Sequence, residues 1–265
     1  MYRGIDLNDI WVAQPDDGQI AWAILPVVSP GRTMLLFSPT YVPGDTSHTC
    51  ACPLVKRVLE HYHDRAVDLA QVLLDPGEQD ALSVFQSCGF ETLAELVYLD
   101  REVHRAGDDR PPEGFSWETY SPATHGDFAR TVAASYVGSL DCPPLNGRRD
   151  IEDVLAGHKA AGEFDPALWF LLRDPVASPV GVLLLNRSTR TDALELVYLG
   201  LIPGYRGRRL GDVLMRHAHA TAAHIGSRRL TLAVDSRNAP ALALYQRHGM
   251  ARVCTRMALM RDLRP

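Results

Sequence analysis

The 265-residue chain is expected to be an α/β protein, a strand-rich mixed α+β sheet with few helices, laid down twice as two lobes of unequal completeness. Three observations predict this. Residues 202–261 repeat residues 42–101 without a gap, at a constant shift of 160 residues, with about ten identical positions and a shared apolar rhythm. Short apolar runs separated by turn residues outnumber the segments with three-four periodicity, as in a sheet that carries a few packed helices. At 46% hydrophobic residues, this length has apolar material for two cores.

In the overlay, Val42-Pro43-Gly44 falls on Ile202-Pro203-Gly204, Leu54 on Leu214 and Asp75 on Asp235. Phe85 to Phe90 falls on Tyr245 to Met250, and Leu99 and Arg101 fall on Leu259 and Arg261. Between the copies, residues 105–114 are charged and breaker-rich, without apolar periodicity, and are expected to form a linker between a degenerate lobe at 1–104 and a complete one at 115–265.

The second lobe opens with a strand over Phe115 to Tyr120, then helices over about Ala123 to Ser135 and Ile151 to Ala161. The segment Gly138 to Gly147 between them is turn-forming. Strands are expected at Leu168 to Arg173, Val180 to Asn186 and Ala193 to Leu201, the last apolar on both faces like a covered central strand. Leu210, Val213, Leu214, His217, Ala218, Thr221, Ala222 and Ile225 make one buried helical stripe that Gly226 ends. After a strand at Leu230 to Val234, Asn238 is a helix N-cap, Pro240 is tolerated in the first turn, and Gly249 stops the helix. Two strands, near Ala251 to Cys254 and Met257 to Met260, close the chain. The first lobe starts directly at strands around Ile10 to Ala13 and Ile20 to Leu25, without the opening strand or the two helices that follow it.

The formal net charge of −5 argues against a non-specific grip on nucleic acid or an anionic membrane. No apolar run approaches a membrane span and the start lacks an export signal, so no membrane partner is expected. Five scattered cysteines, at 50, 52, 88, 142 and 254, argue against a disulfide framework and for a reducing compartment, which makes the cytoplasm the expected location. Cys50-Ala51-Cys52 with His48, His61 and His63 matches no standard zinc spacing, so no metal is expected.

Chemistry concentrates in Tyr205-Arg206-Gly207-Arg208-Arg209-Leu210-Gly211-Asp212, a basic, glycine-containing turn that opens into a helix. Unpaired amides at a helix start, the helix dipole and a glycine that admits a phosphate together suit a pyrophosphate. The plainer reading is a solvated arginine-rich turn.

Here the sequence resembles the GNAT acetyltransferase superfamily, whose acetyl-CoA loop is Gln/Arg-x-x-Gly-x-Gly/Ala between the fourth strand and third helix. Arg206 and Gly211 match, and Arg209 replaces the first glycine. The resemblance covers residues 115–262 and repeats more faintly in 10–101; it implies a GNAT acyl-CoA N-acyltransferase fold in two GNAT-like lobes, with acetyl-CoA as cosubstrate. It further implies that Leu199, Leu201, Arg206, Gly207, Arg208, Arg209, Leu210, Gly211 and Asn238 bind the cofactor. The Leu199 backbone N–H is the family-like donor to the acyl oxygen, Glu195 resembles the general base, and Tyr245 occupies the general-acid position. On an alternating strand Glu195 shares a face with Val197, Leu199 and Leu201, where a carboxylate must be paired, neutralised or facing a cleft.

The first copy has lost these groups. Leu35 stands for Glu195, Pro39 for Leu199, Thr46 for Arg206, Thr49 for Arg209, Glu78 for Asn238 and Phe85 for Tyr245; only Ala51, for Gly211, fits the loop. The expectation is therefore a non-catalytic first lobe and a second lobe that transfers an acetyl group to a small-molecule or peptide amine by direct attack in a ternary complex. The acceptor wall is expected near Tyr136 to Arg149. Cys142, a loop cysteine without an evident base, is expected to be inert. A non-catalytic acyl-CoA sensor or scaffold is the alternative; a nucleic-acid binder using Arg206, Arg208, Arg209, Arg228 and Arg229 lacks a recognisable module.

Overall fold

The computed structural model describes residues 5–14, 18–38, 45–63, 67–103, 107 and 109–264, with the side chains of 45–49 excepted. Val42-Pro43-Gly44 of the repeat and Pro39 lie outside the described residues, as do His104 and residues 105, 106 and 108 of the expected linker, and the side chains of Thr46 and Thr49 are likewise not described. Contacts divide the chain into two compact units, residues 1–95 with 255–265, and residues 96–254. That boundary runs inside two long strands instead of through 105–114.

The first unit contains β1 (Trp11–Ala13), β2 (Trp22–Ser29), β3 (Thr33–Phe37), α1 (Asp45–His63), β4 (Leu69–Leu74) and α2 (Gln79–Ser87). β1, β2 and β3 are antiparallel neighbours, and β3 pairs parallel with β4 through the α1 crossover. Its last strand comes from the far end of the chain, because Met257 to Asp262 pairs antiparallel with β4. One core of Ile24, Met34, Leu36, Val55, Val58, Val72 and Phe85 is closed by Leu259.

In the second unit, the latter part of β5 (Glu91–Glu102) pairs antiparallel with β10 (Arg229–Asp235). β10 runs parallel to β9 (Ala193–Leu201), which continues through the antiparallel strands β8 (Pro179–Arg187), β7 (Trp169–Arg173) and β6 (Ser116–Thr119). The helices are α3 (His125–Tyr136), α4 (Ile151–Ala160), α5 (Leu210–His224) and α6 (Ala239–Arg247). One face buries Leu183, Leu185, Leu194 and Leu196 with α5 residues Leu210, Val213 and Leu214. The other buries Trp169, Leu171, Val182 and Leu184 with Phe128 and Val132 of α3 and Leu155 of α4.

The two strands expected at the end of the chain are one, β11 (Ala251–Asp262), since Thr255 and Arg256 between them are not turn formers. The shift of 160 is kept by the starts of β3 and β9, β4 and β10, α2 and α6, and β5 and β11. A matched detail in each unit supports the duplication. Arg101 of β5 donates to the His248 carbonyl at the end of α6, and Arg261 of β11 donates to the Cys88 carbonyl at the end of α2. Each guanidinium lies against a left-handed glycine, Gly249 at φ 69° or Gly89 at φ 83°, with 3.4 Å from its nearest atom to where a Cβ would stand. Each unit thus takes a strand from the other sequence copy. Gly249→Ala should destabilise the chain by about 1–2 kcal/mol through the positive φ alone. Urea titration of that variant checks it, and no shift in midpoint would refute it.

Candidate functional site

Three features of the second unit open a cleft. β9 and β10 pair only over Ala193 to Glu195 and Arg229 to Thr231, and then part. Beyond that point β9 is held on its other side by β8, where the register slips: Leu184 faces Tyr198 and Leu185 faces Leu196, so Val197 is an extra, bulged residue. Between the parted strands lies a cavity of about 530 Å³, lined by Leu196 to Leu201, Ala233 and Val234, the start of α5, α6 and the Gly138 to Asp141 loop.

The third feature is the start of α5. Its N-cap position, Arg209, provides no side-chain cap to a 15-residue helix, and Gly207, Arg209, Leu210 and Gly211 all line the cavity. Arg209 sits at φ 59°, in the left-handed region, and Gly207 at φ 73°. A left-handed residue is what the family glycine would accommodate without cost, and arginine here carries roughly 1 kcal/mol of strain. Gly211 permits close helix packing, since a Cβ there would lie 3.0 Å from Leu244 of α6.

Of the expected site residues, Leu199, Leu201, Arg206, Gly207, Arg209, Leu210, Gly211, Asn238 and Tyr245 border this one cavity, whereas Arg208 and Glu195 do not. Arg208 stacks on Tyr205, 4.8 Å from its ring centre, and faces a second depression with Arg209, Arg216 and Arg247. Arg206 directs its guanidinium at the carbonyls of Leu201 (3.1 Å), Val137 (2.8 Å) and Ser135 (2.6 Å). It ties the end of α3 to the end of β9. Asn238 caps α6, its Oδ1 accepting from the Ala241 N–H at 3.3 Å.

The bulge corrects the face assigned to Glu195. Leu194 and Leu196 pack on the α5 side, as do Leu199 and Leu201, whereas Val197 and Tyr198 pack on the α3–α4 side. A strict alternation would have put Glu195 with Leu199; the inserted residue leaves it on the Val197 side. Its carboxylate makes no hydrogen bond among the described residues, and burial pushes its pKa up.

Tyr245 is 6% exposed, and burial, with Asp141 and Tyr198 nearby, raises its phenol pKa so that it stays protonated. Asp141, in the expected acceptor loop, is likewise raised by burial, and its Oδ1 accepts from the Asp235 N–H at 3.3 Å. Cys142 takes a left-handed backbone, and burial first, then the charges of Asp141 and Asp235, push its thiol up to about 12. At neutral pH that sulfur is a thiol, a poor nucleophile.

Sequence reasoning missed Tyr198 and His158. Tyr198 shares a 2.8 Å hydrogen bond with Ser135, stacks with His158 and meets Tyr136 edge-on. His158 is held neutral, its pKa lowered to about 4 by burial and by Arg149. Only the lone aromatic in Leu196-Val197-Tyr198-Leu199 hinted at it; the bulge that turns Tyr198 toward α3 leaves no mark in one strand's sequence. Among the described residues, no helix is long and apolar enough to cross a membrane.

In the first unit the equivalent of the basic turn, residues 45–49, is already part of α1. That lobe therefore begins its helix where the other presents a turn.

Residues 137–250 match the model of the acetyltransferase (GNAT) family. Over 131 residues the chain is 31% identical to an uncharacterized N-acetyltransferase of Mycobacterium bovis, covering 48% of this chain and 83% of that protein. It is 28% identical over 182 residues to a mycothiol acetyltransferase of Jonesia denitrificans, covering 66% of this chain and 56% of the relative. The match thus spans little more than half of that relative's length. In fold it is similar to a GCN5-related N-acetyltransferase from Sphaerobacter thermophilus, at TM-score 0.69 and 19% identity, over 99% of this chain and 84% of the other.

Proposed function

The chain belongs to the acetyltransferase (GNAT) family, and from that premise we propose that its second unit moves an acetyl group from acetyl-CoA to an amine of a small molecule, by direct attack in a ternary complex. One observation carries the reading: the uncapped start of α5 opens into the same cavity as Tyr245, at the point where β9 and β10 part.

The residues present suit such a cosubstrate, which supplies an activated acyl thioester. The start of α5 has no side-chain cap, which supports assigning the diphosphate to the amides of the Gly207 to Gly211 turn. Arg209, with Arg208, Arg216 and Arg247 around the neighbouring depression, provides positive charge for the rest of its anionic end.

The chain's own groups then have distinct tasks. Glu195, on the Val197 face and outside the cavity lining, takes a proton through water from the substrate ammonium so that the neutral amine can attack, and its raised pKa makes it a better base than an exposed glutamate. The Leu199 N–H, beside the bulge, donates to the acyl oxygen as charge develops there. Tyr245, neutral because it is buried, protonates or hydrogen-bonds the departing thiolate. Asp141 and Tyr198, which line the cavity, with Tyr136 edge-on to Tyr198, are assigned to the amine side. The first unit, with a helix in place of the turn and Phe85 in place of Tyr245, is assigned no turnover.

A second reading, an acyl-CoA sensor without turnover, has one specific support: left-handed Arg209 stands where the family loop has glycine. Calorimetry with CoA and acetyl-CoA, followed by a screen of amines for thiol release, separates the two. An enzyme binds both and releases thiol with some amine, and Tyr245→Phe slows that release about tenfold or more while CoA affinity is kept. A sensor binds without release, and absence of CoA binding by the folded chain rejects both readings.

A further inference from the structure

The fold brings Cys52 of α1 and Cys88, the C-cap of α2, together across 36 residues of chain. Cys88 Sγ donates to Cys52 Sγ at 2.7 Å. The shift of 160 makes their counterparts Asp212 and His248, and in the second unit those two also touch, Oδ1 to Nε2 at 3.0 Å. The same pair of positions thus joins the same pair of helices in both units, by a carboxylate and an imidazole in one and by two sulfurs in the other. Neither cysteine lines the cavity of the second unit.

We propose that Cys52 and Cys88 form a reversible disulfide that staples α1 to the end of α2 in the first unit. The sulfurs need to approach by only about 0.7 Å to reach bonding distance. Cys52 is half-buried and Cys88 is buried, so Cys52 is the sulfur that meets an oxidant. With a low-molecular-weight disulfide as oxidant, Cys52 Sγ attacks one of its sulfurs; a mixed disulfide forms, the oxidant's S–S bond breaks and one thiol leaves. Cys88 Sγ then attacks Cys52 Sγ, breaking the mixed bond and releasing the second thiol. The protein gives up two electrons and two protons, which the two released thiols carry. Burial holds Cys88 as a thiol, with its pKa pushed up to about 12, so the second step begins with loss of its proton as Cys52 is engaged.

The test uses the full chain, equilibrated with oxidised glutathione or with dithiothreitol, alkylated and digested with trypsin. Cys52 lies in the peptide 33–56 and Cys88 in 66–101. The expected result is that the two peptides are joined after oxidation and separate after reduction, with the join kept in Cys50→Ser and lost in Cys52→Ser. The oxidised chain should also melt a few degrees higher, and the double variant Cys52→Asp, Cys88→His, which copies the second unit's pair, should melt at one temperature in both buffers. Peptides that stay separate in the folded, oxidised chain overturn the proposal. So does a join that persists in Cys52→Ser or disappears in Cys50→Ser.

Discussion

Glu195→Gln should lower turnover by about 10²-fold or more and, at neutral pH, make the folded chain more stable. The two effects share one cause. Burial raises the Glu195 pKa above the ordinary range of a glutamate, so the folded state holds this proton more tightly than the unfolded chain does. A group shifted in that direction contributes its stability fully below the unfolded value and loses it as the pH rises through the raised folded value. Above that window the wild type carries an ionised, desolvated carboxylate and glutamine does not. The same substitution should therefore change stability little near pH 4 and increase it at pH 7, by denaturant titration at each pH. Activity should show the mirror image: wild-type turnover climbs with pH through the raised pKa, and the variant lacks that limb. A variant that retains both the limb and the turnover would remove Glu195 from the reaction.

Arg209→Asp should weaken CoA binding by about 10²-fold, near 2.7 kcal/mol, with little change in melting temperature. It replaces a positive charge by a negative one at the uncapped start of α5, where a diphosphate is proposed to lie. Aspartate tolerates the left-handed region better than arginine, so the fold is not expected to suffer. Arg209→Gly is the companion: it relieves the backbone at φ 59° and should stabilise the chain by roughly 1 kcal/mol, separating the strain from the charge. A CoA affinity that Arg209→Asp changes by less than about threefold would place the diphosphate elsewhere.

Much of the second unit was legible because its signals are local. The periodic stripe from Leu210, the Asn238 cap, the Gly249 stop and the strand at Ala193 to Leu201 each involve residues within one or two turns of each other, and the elements fall there. The basic turn was legible for the same reason: Gly207 and Gly211 sit beside the helix start they serve. The donors of Arg206 were not, because their acceptors, Ser135 and Val137, lie some seventy residues earlier. Tyr198 and the face of Glu195 were hidden by the bulge, which exists only in the register between β8 and β9. The unit boundary was hidden too, because it cuts two continuous strands, β5 after Glu95 and β11 after Cys254, and nothing local marks a break in either.

What the sequence by itself determined is the internal repeat at a constant shift, most of the order of elements in the second copy, the helix-opening turn and the different residues that the first copy holds at the polar positions. Each depends on composition and spacing along one segment or on a comparison of two. The tertiary structure alone decided where β9 and β10 part, which way the bulged strand turns its side chains, which carbonyls occupy Arg206 and which copy supplies each closing strand. Those outcomes depend on hydrogen-bond pairing and packing between segments far apart in the chain, and the pattern of one segment does not specify its partner's register.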